Sequence, residues 1–413
     1  MAFQTGLSGL NAASQTLDVI GNNVANANTV GFKQSRTLFA DVYAASLNGG
    51  GSNAVGIGVK VDGVQQEFSQ GNISTSSNPL DLAINGKGFF RVSENGSIFY
   101  TRNGQFHLDN AGNMVTAENL QVTGYGVNAA GAIVPSSPAP VVISSAQLPP
   151  NVTTTYKPNL NLDSRETPPA TAVFNATDPT SYNESTSGTV FDSLGNSHVF
   201  TTYYVKTAVA GQWDLHATVD GTALANVNLG AGAGLPIALN FNTSGALTTA
   251  MPIAAVSLTV GGGAATPLTF ATDFTGSTQF GANFAVNSLY QDGYTSGRLS
   301  GFTVGGDGIV VGHYTNGQSK NLGQVVLANF ADPEGLKPLG NNRWEETSTS
   351  GLAIVGVPQS GDLGAMQAAA VEESNVDLTG ELVNMITAQR VYQANAQTIK
   401  TEDSIMQTLV NLR

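Results

Sequence analysis

Residues 371–410 read VEESNVDLTGELVNMITAQRVYQANAQTIKTEDSIMQTLV, and every seventh position is apolar: Val371, Leu378, Met385, Tyr392, Ile399 and Met406. A seven-residue step sustained this long marks one apolar stripe on a helix. Leu382, Ala396 and Val410 widen that face. Ser374 and Asp377 have capping-box spacing, and Pro358 lies upstream, where it cannot break the helix. Glu372, Glu373, Asp377 and Glu381 stand near the start, while Arg390, Lys400 and Arg413 lie toward the end, the order that complements a helix macrodipole. The spacing predicts one helix over 371–411, about 60 Å long.

The other end of the chain repeats the signature. Phe3, Leu10, Leu17 and Val24 are seven apart, with Ala13 and Ile20 three positions further on. A lone amphipathic helix frays, because most helical stability in proteins comes from tertiary packing. The period alone is equally that of a dimeric or trimeric coiled coil. Few opposite charges flank the stripe, however, and a second stripe stands at the far terminus. Residues 1–30 and 371–413 are therefore expected to pair with each other and with neighbouring subunits.

Between the ends, roughly Gly56 to Gly361, short runs of Val, Ile, Phe, Tyr and Thr alternate with tight-turn dipeptides. These are Asn85-Gly86, Asn95-Gly96, Asn103-Gly104, Asp292-Gly293, Asp307-Gly308 and Asn316-Gly317. Such pairs tolerate the positive φ of two-residue hairpins, so the interior is expected to be antiparallel β. From about Pro149 to Ala285 the chain turns Thr-, Ala- and Gly-rich, with glycine clusters at 230–234 and 261–263. The expected fold is mainly β with terminal α-helices, in a discontinuous multidomain chain. The paired helices (1–30 and 371–413) lead through an extended connecting region (31–70 and 359–370) to an inner β domain (71–148 and 286–358). An outer β domain (149–285) is inserted into the inner one.

Composition agrees with a multidomain, turn-rich chain. Its 413 residues exceed one hydrophobic core, only 11% are charged, and 48 are glycine. A net charge of −13 with 16 Lys and Arg argues against nucleic acid, which is bound through clustered cations. Cysteine is absent, so no disulfide or thiolate site is available. Met1-Ala2-Phe3-Gln4 lacks the basic region of a secretory signal, and the first positive charge is Lys33. No apolar run approaches the roughly 20 residues of a membrane span.

Reaction chemistry has little to stand on. His107, His198, His216 and His313 are scattered without helical zinc spacing and read as surface or turn residues. Gly306-Asp307-Gly308 opens no helix and reads as a hairpin turn. Gly86-Lys87 is followed by Gly88, so there is no P-loop, and no nucleophile elbow is present. Adjacent carboxylates such as Glu345-Glu346 and Glu372-Glu373 read as solvated. No catalytic, metal or cofactor residue is expected, and no small-molecule substrate.

Several motifs carry a family resemblance. Ser8-Gly9-Leu10-Asn11-Ala12-Ala13, Leu17-Asp18-Val19-Ile20-Gly21-Asn22-Asn23-Val24-Ala25-Asn26 and Thr29-Val30-Gly31-Phe32-Lys33 resemble the N-terminal signature of bacterial flagellar rod and hook proteins. Ser374-Asn375-Val376-Asp377-Leu378 and Gln389-Arg390-Val391-Tyr392-Gln393-Ala394-Asn395 resemble the C-terminal one. Asn85-Gly86-Lys87-Gly88-Phe89-Phe90, Tyr100-Thr101-Arg102-Asn103-Gly104-Gln105-Phe106 and Gly335-Leu336-Lys337-Pro338-Leu339-Gly340-Asn341-Asn342 resemble the family's β domain. The resemblance spans about 1–145 and 285–413 and is loose between.

It implies an exported, non-enzymatic subunit of a helical polymer, with terminal helices innermost and β domains outside. The partners implied are further copies of the chain, rod, hook-cap and hook-filament junction proteins, and the flagellar type III export apparatus. The large insert favours a hook subunit over a distal rod protein. A secreted β-rich adhesin would explain the Thr and Gly content but not the terminal stripes. Phe39 and Tyr43 resemble a short export motif of such substrates, although the same spacing also suits a helix core.

Overall fold

A computed structural model describes residues 2–42, 56, 58–129, 131–221 and 224–411. The chain divides into two compact units, one comprising 1–145, 301–313 and 319–413 and the other 146–300 and 314–318.

The first unit begins with helix α1 (Ala2–Ala25) and ends with helix α2 (Leu378–Asn411). After α1 the chain forms an antiparallel hairpin of strands β1 (Ser35–Val42) and β2 (Gly58–Gln66), so the expected extended connection is a paired ribbon. The unit's largest sheet has thirteen strands among the described residues, with antiparallel pairs such as Phe90↔Thr101, Val92↔Val122 and Leu327↔Phe90. Phe89, Tyr100, Phe330, Leu336 and Trp344 form its buried cluster. Phe68 meets both Phe89 and Trp344 edge-on, at 5.4 Å in each case.

The turn dipeptides divide by context. Asn95 and Gly96 take positive φ and join Phe89–Glu94 to Ser97–Thr101 as a tight hairpin. The Asp307-Gly308 turn joins Leu299–Val304 to Ile309–Tyr314. Asn85-Gly86, Asn103-Gly104 and Asp292-Gly293 do not make hairpins, because their polar groups serve distant segments. The carbonyl of Gly86 accepts from Arg102, that of Gly104 from Leu82, and the Asp292 carboxylate takes the backbone N–H groups of Thr154 and Thr155.

The second unit holds a six-stranded and a four-stranded sheet among its described residues. Tyr156, Phe200, Tyr204, Trp213, Leu215 and Phe270 belong to one fully buried cluster. The expected boundary at 285/286 is corrected to 300/301, because strand Ala285–Gln291 pairs antiparallel with Thr155–Asp163 from Tyr156↔Gln291 to Asn161↔Ala285. Two histidines of this unit also depart from the surface reading. His198 is buried between Asp220 (Nδ1–Oδ2 2.7 Å) and Asp192 (Nε2–Oδ2 3.3 Å). Burial alone would lower its pKa, but the two carboxylates raise it above the ordinary value. His216 stacks on Phe174 at 4.1 Å, its Nδ1 is buried without a hydrogen-bond partner, and burial lowers its pKa to about 4.

Candidate assembly interface

Helix α2 does not begin where the stripe begins. Val371 lies in strand Ala370–Glu372, opposite Ser74, so the expected helix over 371–411 is corrected to Leu378–Asn411. The physical reason is the neighbouring side chain. Glu372 is buried and accepts from Lys33 Nζ at 2.7 Å and Arg102 Nη1 at 3.0 Å, which holds this stretch extended against the sheet. Asp377 then caps the helix, its carboxylate accepting from the Thr379 N–H at 3.0 Å. Ser374 instead accepts from Val376, so the expected capping box does not form.

The Glu372 site ties the roots of both helices together. Gly31 donates its N–H to the Glu372 carbonyl at 2.8 Å. Gly31 has φ +71°, and a Cβ there would stand 2.6 Å from the Asn103 nitrogen, so both conformation and space require glycine. Asn23 makes a two-way clasp with the Ser35 backbone, and Asn375 accepts from Gln34 N–H while donating to the Glu67 carbonyl. Burial lowers the Lys33 pKa most strongly, Glu372 pulls it up, and Arg102 lowers it further. Glu372 is thus buried and not solvated as expected, because a Glu-Glu pair says nothing about the two cations, far away in the chain, that enclose one of its members.

Above this root the helices run antiparallel. A Cβ at Gly6 would meet Ile399 at 3.1 Å, one at Gly9 would meet the Asn395 side chain at 2.8 Å, and Asn23 reaches Glu381 at 3.5 Å. The seam is therefore built on small and polar residues. On α1 its row is Gly6, Ala13 and Ile20, all buried. On α2 it is Glu381, Ala388, Asn395 and Glu402, flanked by the half-buried Met385 and Ile399. Close helix approach needs small side chains, which no apolar-period count detects.

The remaining predicted positions face outward to varying degrees. Leu10, Leu17 and Val24 are half-buried, and Phe3 is exposed. On α2, Leu378 and Tyr392 are exposed, Leu382 is 45% exposed and Met406 61%. Val383, Ile386, Val391 and Ile405 are also exposed, whereas Ala388 is buried at 8%. A groove of about 400 Å³ lies between the helices and β1, lined by Ile20, Phe39, Asn384 and Ala388 among others. Phe39 lies on a strand and is half-exposed, which removes the helix-core reading, and Tyr43 falls outside the described residues. Among the described residues no cluster of three or more His, Cys, Asp or Glu side chains could hold a metal, and no helix is long and apolar enough to cross a membrane.

Comparison with known proteins agrees across the chain. Four family models match in sequence order. They are the flagella basal body rod protein (3–33), the flagellar hook protein FlgE/F/G D1 domain (83–156), the flagellar basal body protein FlaE D2 domain (161–294) and the flagellar basal body rod FlgEFG protein C-terminal model (367–412). The flagellar hook protein FlgE of Salmonella typhimurium is 43% identical over 420 residues, covering 100% of both chains. That of Escherichia coli is 44% identical over 421 residues, again covering both completely. The crystal structure of Helicobacter pylori flagellar hook protein FlgE2 shares the fold, with a TM-score of 0.52 at 14% identity over 72% of this chain and 100% of that one. With full-length relatives at this level of identity, the chain belongs to the flagellar hook protein family.

Proposed function

We propose that the chain is the structural subunit of the bacterial flagellar hook, polymerising into a curved hollow tube that passes motor torque to the filament and leaves an export channel along its axis. The observation that carries this reading is the bare flank of α2. Its seam with α1 uses small and polar residues, while Leu382, Val383 and Ile386 stand in solvent on a 34-residue helix. A large apolar surface rimmed by polar residues marks a protein interface. Copies of the same chain fit it, since helical polymers form from head-to-tail contacts that do not close.

In this reading 1–30 and 371–413 supply tight axial packing, and the β units farther out make weaker contacts that slide as the tube bends. Low charge suits the second role, because nonpolar and small polar surfaces slip without breaking ion pairs. The chain works without catalysis and outside the cell. Its further partners are the rod, hook-cap and hook-filament junction proteins and the type III export apparatus. The family match at both ends is shared with rod proteins, and the 134-residue D2 match at 161–294 is what favours the hook over a distal rod protein.

Electron microscopy of Leu382→Asp after induced polymerisation tests the reading. The expected result is loss of tubes with both β units still folded by circular dichroism. Normal tubes from that variant would overturn the assignment of this face.

A further inference from the structure

A second cavity, of about 470 Å³, lies within the first unit and falls in the size range of small-ligand sites. Phe68, Phe89 and Phe330 form its aromatic side, with Phe89 edge-on to Phe68 at 5.4 Å and to Phe330 at 5.8 Å. Arg102, Lys87 and Asp362 supply the charges. Arg102 is 4% exposed, and its guanidinium lies 5.3 Å from the centre of the Phe89 ring. Nη1 is committed to Glu372 and Nη2 to the Gly86 carbonyl, but the buried Nε–H has no hydrogen-bond partner.

The charge count at this site does not close. Among the described residues Glu372 is the one carboxylate paired with the two buried cations Lys33 and Arg102, which leaves one positive charge in excess. Lys87, exposed at the cavity, adds another, and exposed Asp362 offsets only one of them. The Nε–H is sealed from the cavity, so what an arriving anion relieves is the excess charge: a buried charge without a counter-ion is costly, and an anion held in the cavity beside Arg102 and Lys87 offsets it. The aromatic wall selects what that anion is attached to.

We propose that this cavity binds a carboxylate carried on an aromatic or aliphatic body, with the carboxylate toward Arg102 and Lys87 and the body against the phenyl rings. The carboxylate has two sources, a free organic acid or an acidic side chain with an apolar neighbour on another molecule of this chain.

Titration calorimetry of the soluble full-length chain with phenylacetate tests the site, with phenethyl alcohol as the uncharged control. Phenylacetate should bind saturably at one site, and the alcohol at least about ten-fold more weakly, as loss of a charge-assisted hydrogen bond requires. Lys87→Glu should weaken phenylacetate by about ten-fold and Asp362→Asn should tighten it a few-fold, both at exposed positions where the fold is retained. Absence of phenylacetate binding, equal binding of acid and alcohol, or affinities indifferent to both substitutions would each overturn the proposal. Repeating the titration on assembled chain separates the sources, and this arm alone rests on the assembly reading. Continued binding identifies a free acid, and exclusion identifies a neighbour's side chain already in place; either result upholds the site found in the soluble chain.

Discussion

Phe200 in the second unit is fully buried among Tyr156, Tyr204 and Phe270, whereas Leu382, Val383 and Ile386 on α2 stand about half in solvent. The two regions solve different problems. The β unit covers its aromatic core with its own strands and is complete as a single chain. The helix pair uses its small residues against itself and leaves many of its large ones uncovered, which is the face the proposed assembly would cover. Stability in one region and assembly in the other should therefore respond to different substitutions.

The largest effect is expected where the helices are rooted. Glu372→Ala strands Lys33 and Arg102 as unpaired buried cations, and breaking such a group from one side costs about 3–5 kcal/mol. Hydrogen exchange read by mass spectrometry should show lost protection around 31–35, 71–75 and 370–377, with the second unit unchanged. Loss spread evenly over both units would mean that they are not independent.

Phe200→Ala is the counterpart in the second unit. Truncating a buried Phe costs about 3–5 kcal/mol through lost transfer energy and the cavity left behind. The melting transition of that unit should fall, while exchange at the roots of α1 and α2 stays as in the parent chain. Tubes that still form from folded protein at low temperature would sharpen the contrast; tubes lost with folded monomer would break it.

How much of this was legible in the sequence depends on what each residue's letter encodes. The terminal helices could be read because Leu10, Leu17, Leu378 and Ile399 repeat an apolar letter at a helical period. The seam could not, because Gly6, Gly9, Ala388 and Asn395 pack closely by being small or polar, and such letters carry no period signal. Val371 continued the stripe by count and yet pairs in a strand, since the buried ions beside it outweigh local periodicity. The insert was legible in its composition but its end was not: strand Ala285–Gln291 is held by pairing with Thr155–Asp163, a partner more than a hundred residues away.

The second unit also has a pH response, in which its two histidines act in opposite directions. His216 has its folded pKa lowered to about 4 from an ordinary value near 6.5, so the unfolded chain binds more protons between those values. Stability is then lost as pH falls through that window. His198 has its pKa raised, so its contribution is present below about 6.5 and is lost as pH rises through the folded value. His216→Phe keeps a ring against Phe174 and removes the orphan nitrogen. It should reduce the total stability lost on the acid side by about 1–2 kcal/mol, discounted for partial exposure, and leave the alkaline side unchanged. Thermal melts of the parent and the variant from pH 4 to 8 measure this difference; identical acid-side slopes would assign the loss to the carboxylates instead.

The smallest effect on the folded chain is expected at Leu382, on the face proposed for assembly. Leu382 is 45% exposed on α2, so Leu382→Ala removes little buried surface and should change stability by no more than about 0.5 kcal/mol. If this flank meets a neighbour, the same truncation removes a contact repeated at every subunit of the polymer. The critical concentration for tube formation should then rise several-fold while the melting curve of the monomer stays in place. A coupled fall in both would show that Leu382 is already packed within the chain, and the contrast between a finished β unit and an unfinished helix pair would fail at the residue where it is sharpest.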